Sequence, residues 1–122
     1  MSRAPRALAA ALLLCATPAA AQEQALRVGG TCGQSGVLVL ERVQAERRSD
    51  GEFNYLLHIR NTSARQLVFT LSLRVDGREF ARTTGQPYRI GGQSVVIVPT
   101  GPGPRPIPTA TVAAGLTLNC PM

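Results

Sequence analysis

Residues 52–61 read EFNYLLHIRN, and this run decides the fold class. In an extended chain successive side chains point to opposite faces. Phe53, Tyr55, Leu57 and Ile59 therefore share one face, and Asn54, Leu56, His58 and Arg60 share the other. The first set is the expected core face. The second is the outer face, on which His58 is expected to be solvated. After a polar loop at 61–65 the pattern repeats, with Leu67, Phe69, Leu71, Leu73 and Val75 inward and Thr70, Ser72 and Arg74 outward. Asp76-Gly77 then reads as a two-residue hairpin turn. An antiparallel return over 78–83 follows, with Phe80 as its core anchor.

Upstream, residues 37–48 (VLVLERVQAERR) form another strand. Leu38 and Leu40 have one parity, Val43 and Ala45 the other, so a bulge near Glu41-Arg42 is needed to bury both pairs. Asp50-Gly51 closes this strand with a turn. Downstream, Gly85-Gln86-Pro87 interrupts the chain, Tyr88 and Ile90 start a short strand, and Gly91-Gly92 turns again. Residues 94–99 (SVVIVP) are apolar on both parities, which predicts a strand covered on both faces. The next eleven residues, TGPGPRPIPTA, carry four prolines and two glycines and predict an extended loop. The last strand is expected over 111–120, with Val112, Ala114, Leu116, Leu118 and Cys120 on one face.

About seven short strands with regular turn signals resemble a single immunoglobulin-like antiparallel β-sandwich, an all-β fold. A small closed barrel is the alternative architecture. The chain has no Trp, and its cysteines bracket the domain instead of lying mid-strand.

Residues 1–21 read as a cleaved signal peptide: Arg3 and Arg6, an apolar run over 8–15, then Ala19-Ala20-Ala21 before Gln22. Leu14 before Cys15 departs from the small residue that lipid attachment requires. The mature β-sandwich domain is thus expected to span 22–122, in the periplasm or outside the cell. Two cysteines remain in it, Cys32 and Cys120, and in an exported domain such a pair predicts a disulfide. That bridge would hold the two ends together. The charge is moderately basic, and every basic residue is Arg.

No catalytic residue, metal site or cofactor is expected. His58 is the only histidine, no nucleophile elbow accompanies it, and no ligand pairs show metal spacing. Asn61-Thr62-Ser63 matches a glycosylation acceptor, which also reads as a polar turn. Few aromatics lie off the core parity, so sugar and nucleic-acid binding through stacking are disfavoured. The resources left for binding are sheet-edge backbone and outward polar side chains. The partner-binding residues are accordingly expected to be His58, Arg60 and Arg74, acting from a sheet edge or polar face and not from a pocket. The function expected is that of a non-catalytic exported module that binds another protein. In length, export signal and strand density it looks like the small curli-inhibiting chaperones, an analogy carried by no shared motif. A second reading is an envelope accessory held on an anionic surface by its arginines. An enzyme is the third.

Overall fold

The structure is a computed structural model, and it describes residues 25–121. The signal-peptide reading, with Cys15 and the boundary at 21/22, lies outside the described residues. The described chain is mostly β and forms two antiparallel sheets. The first contains β1 (Leu38–Arg47), β2 (Phe53–Asn61) and β6 (Val95–Gly103), in the order β1-β2-β6. In the second, β3 (Leu67–Val75) pairs with β4 (Arg78–Arg82), β5 (Tyr88–Ile90) and β7 (Leu116–Asn119).

The alternation places these strands as expected. Tyr55, Leu57 and Ile59 from the first sheet are buried, as are Phe69, Leu71, Leu73 and Val75 from the second. All belong to one apolar cluster, so the two sheets cover each other's inner faces. Fully burying each such side chain contributes about 1.5–3 kcal/mol. Phe80 is only half-buried, meeting Tyr55 edge-on with ring centroids 5.7 Å apart. The β1–β2 register shifts between Leu40 and Arg42, where the change of parity demanded a bulge. It carries Val43 into partial burial, but Ala45 stays exposed, contrary to the expected inward pair. The Asp76-Gly77 turn has φ of 53° and 77° at its two residues, as a tight hairpin between right-twisted strands requires.

Three segments depart from the reading of the sequence. Residues 94–99 are not covered on both faces: β6 is an edge strand, and Val95 and Ile97 are exposed. The strand also runs beyond Pro99 to Gly103, because β2 supplies partners as far as Phe53, opposite Gly103. Finally, the expected strand over 111–120 is a helix in its first half, α2 (Thr109–Gly115), and only Leu116–Asn119 is β7. Pro108 has the extended angles suited to a helix cap, and three alanines favour the helix that follows. Gly115 packs against the Arg74 carbonyl where no Cβ would fit, so the turn into β7 runs tight on β3.

The N-terminal segment links the sheets. Leu26 bridges Leu40 of β1, and Gly29 bridges Thr117 of β7 in parallel. A four-residue helix, α1 (Thr31–Gln34), then positions Cys32 beside Cys120 at disulfide distance, with Cα atoms 5.6 Å apart.

Candidate functional site

The first sheet has two edges, and they differ in chemistry. Along β1 the edge is partly occupied: Leu26 exchanges hydrogen bonds with Leu40, and Val43 N–H donates to Thr109 Oγ1 at 3.3 Å. The rest of β1 carries Arg42, Glu46 and Arg47, and charge on an edge discourages pairing with another chain. At the other edge, β6 contains no charged residue, and none occurs between Arg89 and Arg105.

The hydrogen-bond phase of β6 follows from its start. Asn61 N–H donates to the Ser94 carbonyl at 2.9 Å, and antiparallel pairs alternate between bonded and non-bonded. Val96 and Val98 therefore bond to β2, opposite Ile59 and Leu57. Val95 and Ile97 turn their N–H and C=O groups away from the sheet. Pro99 falls on the same outward phase, where its missing N–H costs no ladder bond. The side chains of Val95 and Ile97 are 39% and 50% exposed, the exposed large hydrophobics among the described residues. An outward-facing donor and acceptor row, uncharged and flanked by apolar side chains, is what an added strand needs.

Of the three residues expected to bind a partner, two lie beside this edge. His58 and Arg60 are opposite Ile97 and Val95. His58 is not solvated. It is 8% exposed, hemmed in between Arg42 of β1 and Ile97 of β6, with Nε2 3.2 Å from Gln44 Oε1. Burial, and secondarily the Arg42 charge, push its pKa below the ordinary value, against an upward pull from Glu41. Arg60 is engaged by Glu41 across the bulge. Arg74 lies in the other sheet, 3.7 Å from Glu79 and donating to the Gly77 carbonyl at 2.8 Å. The structure thus groups His58 and Arg60, and separates both from Arg74.

The residues that sequence reasoning missed are Val95 and Ile97. Their signal was visible as an uncharged apolar run, but a run of that kind suits a central strand as well as an apolar edge. Among the described residues no group of three or more His, Cys, Asp or Glu is placed to hold a metal ion. No described helix is long and apolar enough to cross a membrane. Comparison with family models, with curated proteins and with solved structures finds no match to this chain.

Proposed function

We propose that this protein is a non-catalytic exported module that binds another protein by adding an extended segment of it to the open edge of β6. The observation that carries the reading is Ile97: half-exposed, with outward backbone polar groups, on an edge that lacks any charge to repel a strand. Export, to the periplasm or beyond the cell, is supported by the pattern of residues 1–21 and by a cysteine pair at disulfide distance, which suits an oxidising compartment.

The proposal extends to the architecture. Taking β1, β2, β3, β4, β6 and β7 as strands D, E, F, G, B and C reproduces the D-E-B and C-F-G neighbours of immunoglobulin-like sheets in a cyclically shifted order. In that order Cys32 and Cys120 lie at the new chain ends, and β5 has no counterpart.

The test is capture from envelope extract by the wild type, by Ile97→Lys and by Ala45→Lys, which places the same charge on the opposite edge. A partner lost with Ile97→Lys and kept with Ala45→Lys is expected. Equal capture by all three variants overturns the reading. An added 0.3 M salt should leave wild-type capture largely intact, because strand addition rests on backbone bonds; binding through exposed arginines would be screened.

A further inference from the structure

A cleft of about 470 Å³ opens between the β3–β4 turn and the proline segment that follows β6. That volume falls within the range of small-ligand sites. Phe80 and Val75 line it from the hairpin, and Pro104, Pro106 and Ile107 from the proline segment. The proline wall is pinned, because Tyr55 donates its hydroxyl to the Arg105 carbonyl at 2.5 Å. Three charged side chains also line the cleft: Arg78, Arg105 and Asp76.

The two arginines are unspent. The ion pairs among the described residues engage Arg48, Arg60, Arg74 and Arg82, and neither Arg78 nor Arg105 takes part. Arg78 is nevertheless held in place. Its guanidinium lies 4.6 Å from the centre of the Phe80 ring, and Nη2 donates to the Pro102 carbonyl at 3.2 Å. A guanidinium has five N–H donors in a planar fork that matches a carboxylate, so most of its donor capacity remains open. Asp76 adds two acceptor oxygens and one negative charge, which favours a ligand with an N–H and disfavours a second carboxylate.

We propose that this cleft binds a single carboxylate carried on an apolar body with an N–H beside it, the chemistry of the last residue of a polypeptide. Arg78 and Arg105 take the carboxylate, Phe80 and the prolines take the apolar body, and Asp76 takes the N–H. The site lies at the far end of β6 from Val95 and Ile97 and uses neither of them.

The probes are N-acetylphenylalanine, its C-terminal amide, and 3-phenylpropionate, which lacks the N–H. Each is titrated into the disulfide-bonded protein and followed by amide chemical shifts. The acid is expected to bind with shifts confined to the cleft, the amide at least tenfold more weakly, and phenylpropionate severalfold more weakly. Arg105→Gln, on an exposed loop, should weaken acid binding about tenfold with an unchanged circular dichroism spectrum. Arg78→Gln is the second variant and should act in the same direction. Binding should persist in Ile97→Lys, which separates this site from the edge. The proposal is overturned if acid and amide bind alike, if none of the probes binds, or if Arg105→Gln has no effect. It is also overturned if phenylpropionate binds as tightly as the acid, since the N–H then plays no part in recognition.

Discussion

Asn61 carries the glycosylation acceptor pattern, yet its side chain is fully buried and its amide is already committed. Nδ2 donates to the carbonyls of Arg65 at 2.7 Å and Gly91 at 3.0 Å, and Oδ1 accepts from Ser63 N–H at 2.9 Å. It is the knot that ties the end of β2 to the turn before β6. Asn61→Ala leaves these part-buried groups without their protein partner and should cost about 1–3 kcal/mol in urea unfolding. A loss below 1 kcal/mol would show that water replaces the amide. Phe69→Ala should cost about 3–5 kcal/mol, since the ring is buried and stacked on Tyr88 at 5.4 Å. Ser72→Ala on the opposite face should stay within about 0.5 kcal/mol. For His58 the folded pKa is lowered, chiefly by burial, from 6.5. As pH falls through that value the unfolded chain takes up a proton that the folded chain refuses, so the contribution of His58 to stability is present above 6.5 and lost below it. Melting temperatures at pH 7.5 and pH 5 should therefore differ less for His58→Gln than for the wild type.

At the scale of elements, β6 is where the reading of the sequence and the fold part most. The proline run from residue 99 predicts its end there, but Pro99 sits on the outward phase and β2 keeps supplying partners to Gly103. Ile97→Pro removes an N–H that bonds to no strand of the fold, and it should abolish strand addition while leaving the β2–β6 ladder in place. Native-state hydrogen exchange checks the ladder, and partner capture checks the edge. Joint charge reversal at Arg60 and Arg74 is a weaker probe, because each residue is already paired, with Glu41 and Glu79, on different sheets. The short α2 replaces half of the expected last strand for a local reason: Val112, Ala114 and Leu116 alternate, but the alanines around them favour a helix. Val112 and Ala113 are buried together, a helical pairing that a strand would have split between faces.

For the whole molecule, the cysteine pair closes nearly the entire described chain, with a sequence separation of 88. The chain-entropy model assigns such a loop on the order of 4–5 kcal/mol of stabilisation. Cys32→Ser or Cys120→Ser should lower the melting temperature by several degrees at least while preserving the strand signature in circular dichroism. Mass spectrometry of the oxidised protein should show a loss of two hydrogens and no free thiol. Gly29 and Thr117 are already paired close to the bridge, so the ends meet through backbone bonds as well as sulfur. A variant that lost the fold outright would mean that this backbone closure does not stand by itself.

The sequence by itself determined what depends on near neighbours. Alternation placed β1 to β5 and the core faces of β2 and β3, though not the inward place given to Ala45 in β1; Asp76-Gly77 set the hairpin, and the parity change at Glu41-Arg42 located the bulge. The cysteine count brought the ends together. Only the tertiary structure decided which strand lies at an edge, since that depends on partners distant in sequence, and so it alone exposed Val95 and Ile97. It also sank His58 between Arg42 and Ile97, because parity names a face but not the height of the side chains around it. Arg74 was separated from His58 and Arg60 for the same reason: outward parity on two strands does not say that the strands share a sheet. The Arg78–Arg105 cleft joins a hairpin and a proline segment that approach each other only when both sheets are assembled.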